Sequence, residues 1–250
     1  MLTTPPLAPK ALTALKELGI CTLEDLQEIG AVHAFLLLKA SGLTVTKSTL
    51  WQLAALVSGV DARRISEERK TELCEDLKKH PPVAVFPSQS DMETFMRLAI
   101  EQAKQSAVLG EVPVGAVIVY QGEAIAATHN TCIGDHNVSH HAEINALAAA
   151  GKTLQNYRLE DCDVYITLEP CSMCASALIQ ARVGRVIYGA AEAKTGAAGS
   201  VVDLFADKRL NKHTAILGGI LAEECQSVLQ DFFAAKRKAC ILYTSDAADE

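Results

Sequence analysis

Two short stretches could do chemistry: His141-Ala142-Glu143 and Pro170-Cys171-Ser172-Met173-Cys174. They offer one imidazole, two thiols at C-x-x-C spacing, and a carboxylate two residues past the histidine. Three such donors hold a zinc ion and leave its fourth position open, which separates a catalytic site from a closed four-ligand structural one. Zinc lowers the pKa of a water at that position toward about 7. Glu143, not needed as a ligand, is then free to move that water's proton. C-x-x-C alone also describes a redox pair or half a structural zinc knuckle. The structural reading lacks a fourth ligand, because His140 beside His141 is expected to point elsewhere at the surface. The residues therefore read as a zinc hydrolase with one zinc ion per subunit.

The elements around these stretches alternate between strand and helix. Ser90-Asp91-Met92-Glu93 reads as a capping box opening a helix whose stripe is Phe95, Leu98, Ala99 and Ala103. Val114 to Tyr120 is an apolar run of strand length. Gln121-Gly122-Glu123 turns into a second strand over Ala124 to Thr128. A polar loop carrying Asn130 leads to a helix from His141 to Ala149. A strand over Val164 to Leu168 precedes a helix from Cys171 to Ala181. Strands follow at Arg185 to Gly189 and Ile216 to Ile220, and an amphipathic helix runs from Ala222 to Lys238. Cys171 and Cys174 share a helix face at i, i+3 spacing. His141 and Glu143 are about 200° apart on an ideal helix, a conflict that eases if His141 sits at the helix start. This order predicts an α/β layered sheet.

Residues 1–80 predict a small all-α domain. Leu12, Leu15 and Leu18 recur at helical spacing and Gly19 ends that helix; Thr22 caps a second one with Asp25 three residues on. Further helices are predicted at Ala31 to Ala40, Ser48 to Val57 and Glu67 to Lys79, the last capped by Ser66. Trp51 and His33 serve that domain's core or surface. Prolines 81, 82 and 87 make residues 81–90 an extended linker. Residues 91–239 form the zinc-dependent domain. Residues 240–250 lose the helical pattern and read as a disordered tail.

With 250 residues, 49% hydrophobic and 21% charged, the chain has a globular composition. No apolar run approaches the roughly 20 residues of a membrane span, and Met1 to Lys10 lacks the pattern of a secretory signal. No membrane partner and a cytoplasmic location are the expectations. Six of the eight cysteines (Cys21, Cys74, Cys132, Cys162, Cys225 and Cys240) fall at no metal spacing and read as free thiols of a reducing compartment. Residues 1–86 carry ten Lys+Arg and ten Asp+Glu, so the whole formal charge of −7 lies on the remainder. A nucleic-acid partner would therefore need a local basic face rather than a basic domain.

H-x-E followed by P-C-x-x-C is the pattern of zinc nucleobase deaminases. Residues 91–238 resemble bacterial TadA-type tRNA adenosine deaminases well beyond it. The matching stretches include Glu111-Val112-Pro113-Val114-Gly115-Ala116-Val117, Gln155-Asn156-Tyr157-Arg158-Leu159, Thr167-Leu168-Glu169-Pro170-Cys171, Lys194-Thr195-Gly196-Ala197-Ala198-Gly199-Ser200 and Asp231-Phe232-Phe233. The resemblance implies a cytidine-deaminase-like three-layer α/β/α sandwich on a five-stranded mixed sheet. It implies a homodimer acting on the tRNA anticodon stem-loop, converting the wobble adenosine to inosine. By the same resemblance His141, Cys171 and Cys174 are the zinc ligands and Glu143 the proton shuttle. Asn130 hydrogen-bonds the base, and Val112, Ala142 and Leu168 line its pocket. Lys194, Phe233, Lys236 and Arg237 meet the RNA. Glu192 stands where the family usually has Asp, Asn130 lacks the usual preceding Trp and following Arg, and Lys212 precedes His213 where Asn is usual.

The N-terminal stretch resembles the C-terminal domain of TfoX-type competence regulators, through Gly19-Ile20, Thr22-Leu23-Glu24-Asp25-Leu26 and Gly30-Ala31-Val32-His33-Ala34-Phe35. Helix-hairpin-helix modules of this kind contact nucleic-acid backbone, while any small bundle can be a protein-packing module, so both partners stay open. Two rivals stand beside tRNA editing. One is deamination of a free base or nucleoside such as guanine or cytidine. The other is a non-enzymatic nucleic-acid-binding regulator with a structural zinc.

Overall fold

The computed structural model describes residues 2 and 6–246, with side chains as far as 238. The chain divides into two units, Met1–Phe86 and Pro87–Glu250.

The first unit is helical: α1 (Pro9–Glu17), α2 (Leu23–Ile29), α3 (Ala31–Ala40), α4 (Lys47–Ser58) and α5 (Glu67–Lys79), with a 3₁₀ turn at Ala62–Arg64. Its core is a leucine cluster of Leu15, Leu26, Leu38, Leu50 and Leu53, all fully buried, with Ile20. Thr22 and Asp25 close α2 reciprocally. Thr22 Oγ1 accepts the Asp25 N–H at 3.1 Å, and Asp25 Oδ2 accepts the Thr22 N–H at 2.8 Å, which satisfies two donors that the first turn leaves orphaned. Trp51 packs at the margin of the core, and the His33 and His80 rings meet edge to face at 5.1 Å.

The second unit starts with α6 (Gln89–Val108) and continues through β1 (Gly115–Tyr120), β2 (Glu123–His129), α7 (Ala142–Leu154), β3 (Cys162–Leu168), α8 (Ser172–Gln180), β4 (Arg185–Ala190), β5 (Ala215–Leu217) and α9 (Ala222–Asp246). The sheet order is β2-β1-β3-β4-β5. β1 is antiparallel to β2 and β3, whereas β3, β4 and β5 run parallel. Helices α6 and α9 cover one face, and α7 with α8 the other. The second unit is thus a three-layer α/β/α sandwich on a mixed five-stranded sheet. Ala116, Ile118, Val164, Ile166 and Val186 face α7 and α8, while Tyr165 meets Phe95 of α6 at 5.3 Å. Strands buried on both faces need such near-continuous apolar runs. Gly115 lets α6 press onto β1, since a Cβ there would stand 2.0 Å from the Ala99 carbonyl oxygen.

Two local expectations are corrected. The cap of α6 is Ser88, whose Oγ accepts the Asp91 N–H at 3.2 Å. Ser90 lies inside the first turn, because Ser88 has its own acidic partner three residues on. Helix α9 continues to Asp246, past Lys238 where the amphipathic pattern predicts its end. No Gly or Pro occurs between 239 and 246 to stop it. The rest of the predicted tail, residues 247–250, lies outside the described residues. No helix among the described residues is long and apolar enough to cross a membrane.

Candidate active site

β3 delivers its end, Leu168, to Glu169-Pro170, and Cys171 then caps α8. On the same side of the sheet His141 caps α7. Both capping residues are extended: His141 at φ −70°, ψ 154° and Cys171 at φ −70°, ψ 172°. This removes the 200° conflict, because His141 precedes the helix and Glu143 lies in its first turn. It also corrects the picture of two cysteines on one helix face. Cys171 is the cap, and Cys174, three residues on, belongs to the first turn. Two helix N-termini therefore aim their positive ends at the same point, an environment that favours thiolates.

His141, Cys171 and Cys174 offer ligand atoms that all lie within 4.8 Å of one another, the group among the described residues placed to hold a metal ion. His141 Nδ1 stands 3.7 Å from Cys171 Sγ and 3.5 Å from Cys174 Sγ. Zinc bonds of about 2.3 Å to sulfur and 2.0–2.1 Å to nitrogen, at tetrahedral angles, set those pairs roughly 3.6 Å apart. The donor set fits zinc. His140 turns away, its Nδ1 2.7 Å from Asp135 Oδ2.

The electrostatics fit as well. The hydrogen bond from the Cys174 thiol, helped by His141, brings the Cys171 thiol down to about 4. Donation to Cys171 and then burial push Cys174 the other way. Its hydrogen bond to Cys171 raises the His141 pKa. A cation taking the place of these protons releases them as it binds. Glu143 is 3% exposed, and burial raises its carboxyl. Its Oε2 has no hydrogen-bond partner among the described residues. Such an orphan costs about 1–3 kcal/mol or more unless the site's own contents supply a partner.

A pocket of about 330 Å³ opens beside these groups, lined by His141, Glu143, Cys171, Val112, Asn130, Leu168, Glu192 and Thr195 among others. Asn130 is 6% exposed and already employed at both ends of its amide. Its Nδ2 donates to the Val112 carbonyl at 3.1 Å, and its Oδ1 accepts the Ala142 N–H at 2.8 Å. It thereby ties one pocket wall to the start of α7. Asn130→Ala leaves the Ala142 N–H unpaired, while the Val112 carbonyl keeps the Ser106 hydroxyl and the Val114 N–H, and should destabilise the protein by about 1–3 kcal/mol. Denaturant unfolding measures this, and an unchanged midpoint would contradict the bridging role.

The remaining candidates sit farther out. Ala142 is wholly buried in the core and is not among the residues that line the pocket. Lys194 is exposed, its N–H donating to Glu192 Oε1 at 2.8 Å. Phe233, Lys236 and Arg237 project from α9 and are exposed; Lys236 Nζ lies 5.4 Å above the Phe232 ring. None of these four lines the pocket.

Sequence reasoning left three buried carboxylates without roles: Asp163, which pairs with Arg185, and Glu111 and Glu169, which line the pocket. Glu111 Oε1 accepts the Gly134 N–H at 2.7 Å and so holds the 130–140 loop. Glu169 is 2% exposed and gathers donors from residues 192–200. Burial alone would raise the Glu169 carboxyl, but hydrogen bonds from Ser200 and from loop N–H groups hold it below its usual value. The available signal was position: a carboxylate between an apolar strand and a metal ligand cannot reach water and must be paired.

Residues 89–190 match the cytidine and deoxycytidylate deaminase zinc-binding region, and residues 3–77 match the TfoX C-terminal domain. The chain is 41% identical over 146 residues to the tRNA-specific adenosine deaminase of Bacillus subtilis, covering 58% of this chain and 91% of that protein. It is 43% identical over 147 residues to the tRNA-specific adenosine deaminase of Haemophilus influenzae, covering 58% and 85%. A structure from a study of A-to-I editing by tRNA:A34 deaminases at the wobble position aligns with a TM-score of 0.53 at 38% identity, over 54% of this chain and 99% of that one. A guanine deaminase from Nitrosomonas europaea aligns with a TM-score of 0.51 at 23% identity, over 62% and 88%, a likeness of fold alone.

Proposed function

As this chain belongs to the tRNA-specific adenosine deaminase family, we propose that it deaminates the wobble adenosine of a tRNA anticodon stem-loop to inosine, releasing ammonia. The observation that carries the chemistry is Glu143, a buried carboxyl with one unpartnered oxygen beside the His141, Cys171 and Cys174 donor set.

A zinc ion held by His141 Nδ1, Cys171 Sγ and Cys174 Sγ would supply the Lewis acidity that brings a water's pKa toward about 7. The base must leave its stack to reach a site this recessed. Val112 and Leu168 flank it. Asn130 keeps one amide hydrogen and one oxygen lone pair beyond its two internal bonds, which suits the donor and acceptor edge of adenine. Glu143 Oε2 takes a proton from the attacking water as its oxygen bonds to C6. The same carboxyl returns that proton to the amino nitrogen as the C6–N bond breaks. A buried carboxyl with a raised pKa is suited to both transfers near neutral pH.

RNA beyond the base meets Lys194, Phe233, Lys236 and Arg237. Lys194, Lys236 and Arg237 supply local positive charge on a chain of net charge −7. The enzyme acts as a homodimer in the cytoplasm. The N-terminal module binds a nucleic-acid backbone or a protein and is separate from the chemistry. The Bacillus subtilis relative is matched over 91% of its length by 58% of this chain. Deleting residues 1–86 should therefore leave kcat/KM for the stem-loop within about threefold. A soluble truncated protein with a much larger loss would show that the module takes part.

A further inference from the structure

We propose that Glu169 is a positioning residue for substrate binding, whose carboxylate fixes the 192–200 loop as one wall of the pocket; this rests on the deaminase reading above. Glu169 is 2% exposed, and no cation pairs with it among the described residues. A buried carboxylate without a counter-ion needs hydrogen-bond donors, and its donors here come from one loop. Oε1 accepts the Ala198 N–H at 2.8 Å and the Ser200 N–H at 3.1 Å. Oε2 accepts the Glu192 N–H at 3.0 Å and the Ser200 hydroxyl. Four bonds fill the acceptor capacity of a carboxylate.

The loop in turn is shaped to admit the carboxylate. A Cβ on Gly196 would stand 2.5 Å from Glu169 Cδ and Oε2. Backbone ties extend the seam: the Ala197 N–H donates to the Pro170 carbonyl at 2.9 Å, and Cys171 bridges Gly196. Glu192 and Thr195 of this loop line the pocket, together with Glu169 itself. The metal-donor set does not include Glu169. Loosening the carboxylate's own bonds should therefore move the wall against which substrate rests and leave the donors and Glu143 in place, whereas displacing Gly196, which pairs with Cys171, also disturbs a donor.

The test compares the full zinc-loaded chain with Glu169→Gln, Gly196→Ala and Ser200→Ala on an anticodon stem-loop. Glutamine keeps the shape but turns one arm into a donor facing the Glu192 N–H. Gly196→Ala leaves the charge intact and displaces the loop, so the proposal does not depend on one variant folding. Glu169→Gln should raise KM about tenfold, with kcat within about threefold and zinc at one per chain; Gly196→Ala, whose backbone pairs with the donor Cys171, should raise KM by at least as much and lower kcat with it. Ser200→Ala, which removes one of four bonds, should raise KM about threefold. In a Glu143→Ala background, Glu169→Gln should weaken stem-loop binding by the same factor as KM. For Glu169→Gln, unchanged KM with only a lower melting temperature would mean a purely structural role and overturn the proposal, as would loss of zinc. Absence of turnover by the unmodified protein would overturn the deaminase reading itself, an outcome the control separates from failure of the clamp.

Discussion

Glu143→Ala should lower kcat on an anticodon stem-loop by at least about 10³-fold, toward the upper end of what general acid–base catalysis contributes. Zinc should stay at one per chain, because the three donors are His141, Cys171 and Cys174. Glu143→Gln should be as inactive as alanine, since the amide preserves volume and cannot carry the proton. Stability should move the opposite way. The native carboxyl is buried with an unpartnered oxygen, a desolvation cost that substitution relieves. The variants should thus melt at or above the unmodified protein's temperature. Sites that hold a reactive group in an unfavourable environment commonly show this exchange of stability for activity. Zinc-loaded Glu143→Gln with normal turnover would remove Glu143 from the mechanism.

Cys174→Ser should abolish both metal binding and turnover, with zinc below about a tenth per chain and activity down by on the order of 10³-fold or more. Cys174 is wholly buried in the first turn of α8, 3.5 Å from His141 Nδ1. A serine hydroxyl there is a poor zinc donor and adds a buried polar group beside Glu143. Removing zinc from the unmodified protein with a chelator should reproduce the loss and lower the melting temperature, because a ligand bound only by the folded state stabilises it by mass action. Re-addition of zinc should restore the chelated protein and not Cys174→Ser. A Cys174→Ser protein with full zinc content would contradict this donor assignment.

His141, Glu143, Cys171 and Cys174 were legible in the sequence because the chemistry constrains residue type and short spacing together. The layered sheet was legible from apolar strands alternating with helices. The two ligand stretches instead required the backbone: whether His141 or Cys171 lies inside a helix or caps one turns on one residue's ψ, which periodicity does not report. Ser88 was displaced by Ser90 in the reading for the same reason, since both have acidic residues at capping distance. Glu111 and Glu169 were opaque because their partners lie 23 to 31 residues away in the chain. Asn130 was singled out by resemblance, yet its internal bridge between Val112 and Ala142 appears only when β2, α7 and the 111–114 segment are packed together.

The most direct test is incubation of the zinc-loaded full chain with an anticodon stem-loop carrying adenosine at the wobble position, beside free adenosine, cytidine and guanine. Nucleoside analysis should find inosine at that one position and ammonia in equal amount, with the free compounds unchanged. Deamination of a free base or nucleoside with the stem-loop left intact would contradict the account.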